Sequence, residues 1–267
     1  MRYRDFELSY TCERDALSPA LREVFVELDA DASTRAWIDD CIARPHGAMI
    51  TAARSVARKV MSDFDANGML GAHDMRVLGT DQARHLLGCD RIGGRLLDVG
   101  AGDGRVTAEL APLVDGVVAT ETSSPMIDRL RKRGYTAYQT DLVEGGLPDE
   151  GAFELVALLN VIDRTARPIS LLETLRSRLA PGARMILAVP FPLKPVAFAG
   201  PLTVDPEELL PIVDEGWEAQ AVALDEMLLA PLGYRVDVLS RVPYLCRGTK
   251  RQPVIILDDA IFVVSAS

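Results

Sequence analysis

Residues 95–104 read Arg-Leu-Leu-Asp-Val-Gly-Ala-Gly-Asp-Gly. A short apolar run ends here in a turn that has glycine at positions 100, 102 and 104. A helix is predicted to begin directly after the turn, at Arg105. In a strand–turn–helix of this kind, backbone N–H groups and the N-terminus of the helix face a bound ligand. The stretch therefore predicts a ligand-binding turn after the first strand of an α/β sheet.

The spacing of the glycines separates two classes of cofactor. A dinucleotide-binding turn needs glycine at its first, third and sixth positions, but the sixth position here is Arg105. The pattern Asp-x-Gly-x-Gly-x-Gly, starting at Asp98, is complete and favours S-adenosylmethionine. This cofactor has no pyrophosphate but carries an ammonium group, which an acid beside the turn complements. The structural alternative is a simple tight turn with a helix cap at Asp103.

Two further acids follow predicted strands and extend the predicted cofactor site. Glu121 lies 17 residues after Gly104, at the end of the second strand, where a carboxylate can accept both ribose hydroxyls. Asp141 and Leu142 follow the third strand, where adenine would meet a side-chain acceptor and a backbone N–H. A solvated strand end for Glu121 and a surface acid at Asp141 are the alternatives. The predicted cofactor-binding residues are Asp98, Gly100, Ala101, Gly102, Gly104, Glu121, Thr122, Asp141, Leu142 and Asn160.

Short apolar strands alternate with helices from residue 91 onward, which is typical of a parallel sheet covered on both faces. The predicted strands span 95–99, 116–120, 136–139, 153–159 and 184–189, and the helices 105–110, 125–133, 169–179 and 217–229. Strands near 234–240 and 254–264 are placed by fold analogy as an antiparallel hairpin. The fold class predicted is α/β: a Rossmann-like, mostly parallel seven-stranded sheet of the class I methyltransferase type, with this hairpin at its C-terminal edge.

Residues 1–90 are predicted to form an N-terminal helical extension in front of a catalytic domain over residues 91–267. The apolar spacing predicts helices over 20–28, 33–43 and 49–64, and a further helix from about Thr80. The sequence Asp-Ala-Asn-Gly at 65–68 predicts an exposed loop between them. Later in the chain, Pro192, Pro195 and Pro201 mark a proline-rich stretch in which the alternation loosens.

The segment after the fourth predicted strand, residues 158–164, is expected to face the reacting end of the cofactor. Asn160 and Asp163 are three residues apart, so both can face one pocket if the chain turns helically. Alternatively, Asp163 pairs with Arg164 or Arg167, and Asn160 satisfies backbone groups at the strand end. A lone carboxylate suits an imidazole acceptor, because it can bind one ring nitrogen while the other attacks.

The composition excludes several partners. A net charge of -10 over 267 residues argues against a nucleic-acid partner, which would need a basic stripe. No apolar stretch of membrane-spanning length or signal peptide is evident, so we expect no membrane partner and a cytoplasmic location. We also expect a monomer. Isolated cysteines and histidines predict neither a disulfide nor a metal site; they are Cys12, Cys41, Cys89, Cys246, His46, His73 and His85.

Several motifs resemble one family from about residue 50 to the C-terminus. They are NGMLG at 67–71, LLDVGAGDG at 96–104, ATETS at 119–123, LNVIDR at 159–164, PF at 190–191, GWE at 216–218, RVPYLCRG at 241–248 and LDDAIFV at 257–263. Together they resemble the DREV-type methyltransferases, also called methyltransferase-like nine, which are protein-histidine N-pros-methyltransferases. The segments 190–198 and 247–253 depart from the familiar form, so we expect any shift of substrate preference there.

The resemblance implies the substrate and the roles of individual residues. It implies S-adenosylmethionine as methyl donor, S-adenosylhomocysteine as product, and polypeptide substrates methylated on the pros nitrogen of the first histidine in His-x-His motifs, where x is small. By the same resemblance Asn160 lines the junction of cofactor and substrate, and Asp163 and Tyr244 engage the target imidazole. These three form the predicted catalytic set. A small-molecule methyltransferase and a non-catalytic S-adenosylmethionine-binding scaffold on the same fold are the alternatives.

Overall fold

A computed structural model describes residues 1–72, 74–149, 151–200, 202–213 and 216–267. His73 and Pro201, named above, lie outside the described residues. In chain order the strands are β1 (Met75–Arg76), β2 (Arg95–Val99), β3 (Gly116–Glu121), β4 (Thr136–Gln139), β5 (Phe153–Leu159), β6 (Leu179–Phe191), β7 (Ala197–Ala199), β8 (Leu202–Val204), β9 (Tyr234–Thr249) and β10 (Gln252–Ala266).

One large sheet has the strand order β1-β9-β10-β6-β5-β2-β3-β4, and β7 and β8 form a small separate hairpin. The neighbours from β6 to β4 pair in parallel, whereas β10 is antiparallel to both β6 and β9. This topology confirms the predicted Rossmann-like class with an antiparallel edge hairpin. The order reverses between β2 and β5, which is where doubly wound sheets bind ligands.

The sheet has one strand more than the seven that we expected. Met75 and Arg76 pair antiparallel with Cys246 and Leu245, at the outer edge of the hairpin. A two-residue strand is too short to show a period-2 pattern, and its partner lies far away in sequence, so the local sequence could not reveal it. The strand β9 also continues beyond its predicted end at Ser240, to Thr249.

In chain order the helices are α1 (Pro19–Glu23), α2 (Ala32–Ala43), α3 (Ala48–Ala57), α4 (Asp63–Leu70), α5 (Thr80–Leu87), α6 (Thr107–Leu110), α7 (Ser124–Lys132), α8 (Pro168–Arg176) and α9 (Trp217–Leu224). A π-helical turn, Asp225–Leu229, continues α9 to the predicted end. The helix predicted over 20–28 is shorter than expected, because Phe25 bridges to Leu239 of β9. The helix predicted over 49–64 ends at Ala57.

The exposed loop that we predicted over residues 65–68 is wrong, because these residues form the interior of α4. Ser62 caps the helix by accepting a hydrogen bond from the Asp65 backbone N–H at 3.1 Å. Ala66 is fully buried. A Cβ on Gly68 would lie 3.0 Å from the Cβ of Pro125, so glycine permits α4 to pack closely against α7. A tertiary contact therefore overrides the usual tendency of Asn-Gly to form turns.

Both faces of the sheet are buried, which explains the nearly continuous apolar strands. In β5, Val156 and Leu158 belong to the core on one face, whereas Leu155 and Ala157 belong to the core on the other. All four side chains are 0% exposed. A parallel sheet with buried faces needs apolar residues on both sides, so polar side chains concentrate at the strand ends, where the candidate site lies.

Candidate functional site

A cavity of about 490 Å³ lies at the carboxyl ends of the central parallel strands. Residues from the ends of β2, β3, β4 and β5 contribute to its wall, as expected for a doubly wound sheet. The predicted site residues that line it are Gly100, Gly102, Glu121, Thr122, Asp141, Leu142, Asn160 and Tyr244. Asp98, Ala101, Gly104 and Asp163 are not among the residues that line it.

The turn after β2 depends on glycine for two different reasons. Gly100, Gly102 and Gly104 have φ values of 66°, 56° and 78°, in the left-handed region that other residues avoid. A Cβ on Gly100 would lie 2.7 Å from Cγ2 of Val161, so the turn approaches the β5 end closely. A Cβ on Gly104 would lie 2.9 Å from Cδ2 of Leu130, which makes this glycine a packing position against α7.

Glu121 ties the end of β3 to the glycine turn. Its Oε2 accepts a hydrogen bond from the Gly102 backbone N–H at 3.0 Å, and its Oε1 accepts from the N–H groups of Thr122 and Ser123 at 2.8 and 3.1 Å. Burial raises the pKa of Glu121, and these backbone donors oppose the shift. Each carboxylate oxygen has two lone pairs, so Oε2 can still accept a bond from a ligand hydroxyl in the cavity.

Asp98 lies behind the cavity wall at the end of β2. It is 3% exposed, and its Oδ2 accepts a hydrogen bond from Thr107 Oγ1 at 2.5 Å. Burial, together with the nearby carboxylate of Glu121, raises the pKa of Asp98 to about 7, although the hydrogen bond from Thr107 opposes the shift. A cation bound at the turn would reverse this shift, because an opposite charge favours the ionised acid.

Asp141 forms part of the turn after β4. Its Oδ1 accepts hydrogen bonds from the backbone N–H groups of Val143 and Glu144, at 2.8 and 3.3 Å. Leu142 is 6% exposed and contributes apolar surface to the same wall. The carboxylate of Asp141 therefore organises its own loop, and both residues remain in a position to contact a ligand.

Asn160 lies in the cavity wall directly after β5 and has an unusual backbone conformation. Its φ is 57°, in the left-handed region, and its backbone N–H donates to the carbonyl of Ala188 at 3.0 Å. The side-chain Nδ2 donates to Oδ2 of Asp259 at 2.9 Å. Its Oδ1 is buried and has no donor among the described residues.

Asp163 lies in the 3-10 turn Ile162–Arg164 and is 6% exposed. Its Oδ2 accepts a hydrogen bond from Nε of Arg164 at 3.2 Å, which is one of the two pairings that the sequence left open. Its Oδ1 is buried without a donor among the described residues. Burial raises the pKa of Asp163, and the charge of Arg164 opposes this. The side chain of Arg164 lies in the cavity wall.

Tyr244 of β9 closes the cavity from the hairpin side. It is 1% exposed, and its hydroxyl contacts Sδ of Met75 in β1 at 3.0 Å. Burial raises the pKa of Tyr244 well above its usual value, so the side chain is a neutral phenol. The contact explains why the short strand β1 matters to the site: it supports the residue that the hairpin presents.

The sequence reasoning missed the contribution of the N-terminal region. Ser62 and Asp65 of the α4 start line the cavity, and Asp65 Oδ1 accepts a hydrogen bond from Ser123 Oγ at 2.6 Å. The Ser-x-x-Asp spacing at 62–65 is a helix N-terminus signal, which could have placed a helix here. Asp259, the partner of Asn160, was also missed, because it lies 99 residues away in sequence.

A family model described as DREV methyltransferase matches residues 9–266. The chain belongs to the DREV methyltransferase family. This confirms the resemblance inferred from the motifs, and the protein is a methyltransferase. In the described part of the chain, no helix is long and apolar enough to cross a membrane. The same residues include no cluster of three or more His, Cys, Asp or Glu side chains arranged to hold a metal ion.

Solved structures with a similar fold are distant in sequence. The N-methyltransferase NodS from Bradyrhizobium japonicum WM9, in complex with S-adenosyl-l-homocysteine, is 16% identical over 70% of this chain and 84% of that chain, with a TM-score of 0.44. A TehB-like SAM-dependent methyltransferase from Corynebacterium glutamicum is 12% identical over 81% and 99%, with a TM-score of 0.46. The DhpI–SAH complex is 17% identical over 82% and 97%, with a TM-score of 0.48.

Proposed function

We propose that this DREV methyltransferase transfers the methyl group of S-adenosylmethionine to the pros nitrogen of the first histidine in His-x-His motifs of polypeptide substrates. S-adenosylhomocysteine is the second product. Membership of the family supports the reaction class. The observation that carries histidine as the methyl acceptor is a pair of buried oxygens that have no donor among the described residues: Oδ1 of Asn160, directly after β5, and Oδ1 of Asp163, in the 3-10 turn that follows.

The residues around the glycine turn fit S-adenosylmethionine. The backbone of Gly100 and Gly102 borders the cavity directly, so the ligand can approach it without meeting a side chain. Asp98 is a buried acid with no cationic neighbour among the described residues, and an ammonium group at the turn would supply one. Oε2 of Glu121 faces the same turn and can accept from a hydroxyl. When bound, this cofactor supplies a methyl group activated by a sulfonium.

The unpaired oxygens favour a methyl acceptor that carries an N–H group. Leaving a buried acceptor without a donor costs roughly 1–3 kcal/mol, so a substrate that donates a hydrogen bond there gains affinity. A neutral imidazole has one N–H donor and one nitrogen lone pair. If Asp163 accepts the tele N–H, the pros lone pair is left free to attack. The ring is then oriented as well as bound.

Methyl transfer requires alignment more than deprotonation. A solvated histidine, with a pKa of about 6.5, is mostly neutral near pH 7, so the enzyme need only hold the reactive tautomer in line with the methyl group. Asp163 stabilises the positive charge that develops on the ring, and Tyr244 provides a neutral hydroxyl in the cavity wall. Because Arg164 lies in the wall and binds Asp163, we propose that the ion pair opens when the substrate enters.

The direct test uses purified protein, labelled S-adenosylmethionine and a synthetic His-Ala-His peptide. Matched peptides Ala-Ala-His and His-Ala-Ala separate the roles of the two histidines. We expect label on His-Ala-His and none on Ala-Ala-His, since the first histidine is the acceptor. Tight cofactor binding without any labelled peptide would contradict the proposal and favour the small-molecule methyltransferase or the scaffold.

A further inference from the structure

We propose that Asp259 is a positioning residue that holds the side-chain amide of Asn160 with its oxygen towards the reacting end of the cavity. Asp259 is not part of the cavity wall, so it acts through Asn160. The proposal concerns the geometry of methyl transfer and rests on the proposed function only where activity is measured.

The location of Asp259 is unusual for a carboxyl group. It is 0% exposed in the middle of β10, opposite Val242 of β9 and Pro190 of β6. The next residues along the strand, Ala260 and Ile261, are also 0% exposed. Burial of a carboxyl group is costly unless the group is bonded or neutral. A side chain in this position therefore needs a reason other than the packing of the sheet.

The hydrogen bond to Asn160 provides that reason. The bond joins Nδ2 of Asn160 to Oδ2 of Asp259 at 2.9 Å, in a buried setting. An asparagine amide presents a donor at one end and an acceptor at the other. An acceptor fixed in β10 engages the donor end, so Oδ1 of Asn160 is turned away and has no partner among the described residues. Without Asp259, the amide is free to rotate by 180° and present N–H groups instead.

The backbone of Asn160 adds to this orientation. Its φ of 57° lies in the left-handed region, which asparagine tolerates better than most residues, and the N–H bond to Ala188 holds it there. Both ends of the residue are thus fixed by neighbouring strands, the backbone by β6 and the side chain by β10. Fixed dipoles of this kind stabilise the charge that develops in a transition state.

The charged groups around Asp259 favour its neutral form. Burial raises the pKa of Asp259 well above its usual value, and the carboxylates of Asp163 and Asp258 raise it further. The donor from Asn160 and the charge of Arg164 oppose the shift. Both the ionised and the neutral carboxyl have an oxygen that can accept from Nδ2, so the bond does not depend on which form is present.

The test combines activity with a readout on the protein alone. Asp259→Asn retains an acceptor oxygen in a side chain of the same shape, whereas Asp259→Leu removes it. The control is Asp258→Asn, on the adjacent residue, which pairs with Arg241. We expect kcat to fall about tenfold or more in Asp259→Leu, as for one lost hydrogen bond. In Asp259→Asn, most of the wild-type kcat should remain. Adding Asp259→Leu to Asn160→Ala should cause no further loss.

The second readout is the side-chain amide signal of Asn160 in a ¹H–¹⁵N spectrum, assigned by its disappearance in Asn160→Ala. We expect this signal to shift in Asp259→Leu. An unchanged signal in Asp259→Leu, or additive losses in the double variant, would overturn the proposal. The spectrum needs no methyl acceptor. If the protein does not methylate histidine, this readout still tests the role of Asp259, so a failure of the proposed function and a failure of this proposal can be distinguished.

Discussion

Asp98 is the buried acid in the site whose ionisation depends most on what binds beside it. With a pKa of about 7, it is mostly protonated at pH 6 in the free protein. An ammonium group at the turn favours the carboxylate, so cofactor binding should release a proton there. Affinity for S-adenosylmethionine should accordingly increase as the pH rises towards 7 and level off above it.

Calorimetry at pH 6 checks this linkage. In two buffers of different ionisation enthalpy, the observed binding heats should differ, because Asp98 releases a proton to the buffer when the cofactor binds. At pH 8 the two heats should agree. Asp98→Asn should bind more weakly and release no proton at either pH. Equal heats at pH 6 in the wild-type protein would show that Asp98 does not pair with the ammonium group.

A second prediction at the residue scale separates binding from turnover. Asp163→Asn keeps the shape of the side chain but removes the charge that orients and stabilises the imidazole. We expect kcat to fall by about 10²–10⁴-fold and the dissociation constant for S-adenosylmethionine to stay within about twofold, because Asp163 is outside the cavity wall. The exposed Glu226 offers the control Glu226→Gln. Parallel losses in turnover and cofactor affinity would contradict the role assigned to Asp163.

At the scale of elements, the turn between β2 and α6 offers a comparison within one protein. Gly100 and Gly146 have the same φ of 66°, but a Cβ on Gly100 meets Val161 at 2.7 Å, whereas a Cβ on Gly146 meets nothing within 4 Å. Alanine in the left-handed region costs roughly 1–2 kcal/mol at either position. Only at Gly100 must the neighbouring segment also shift, and Val161 directly follows Asn160.

We therefore expect Gly146→Ala to lower the free energy of unfolding by about 1–2 kcal/mol, and Gly100→Ala to lower it by more, because the overlap with Val161 adds to the same backbone cost. Gly100→Ala should in addition weaken S-adenosylmethionine binding at least about tenfold, which corresponds to 1.4 kcal/mol or more. Thermal unfolding and calorimetry measure the two effects. Equal cofactor affinity in the two variants would mean that the close approach of the turn to Val161 is not needed for binding.

The sequence predicts well those elements whose pattern lies within a few neighbouring residues. The strands β2, β4 and β5 have the predicted bounds. In β2 and β5 the signal is an apolar run closed by turn residues. Asp98 and Glu121 could be placed for the same reason, as they follow such runs. The helix α4 was missed: Ser62 and Asp65 give a helix N-terminus signal, but Asn67 and Gly68 favour a turn, and packing against α7 overrules that preference.

At the scale of the whole molecule, the missed features all join distant parts of the chain. The strand β1 pairs with β9, where Met75 lies opposite Cys246, and it supports Tyr244. The bond from Asn160 to Asp259 likewise joins the parallel core to the hairpin. No periodic pattern in the neighbouring residues indicates such pairings, although the family motifs already contained Tyr244 and Asp259.

The division at residue 90 stays a prediction, and α4 and β1 show that the N-terminal region takes part in the site.

The nitrogen that receives the methyl group tests the central proposal most directly. A His-Ala-His peptide methylated to completion would be hydrolysed, and pros- and tele-methylhistidine separated against standards. If Asp163 accepts the tele N–H, we predict pros-methylhistidine as the dominant product, located on the first histidine by fragmentation of the intact peptide. Predominant tele-methylhistidine would contradict this orientation of the ring, since the nitrogen assigned to Asp163 would then be the one that attacks.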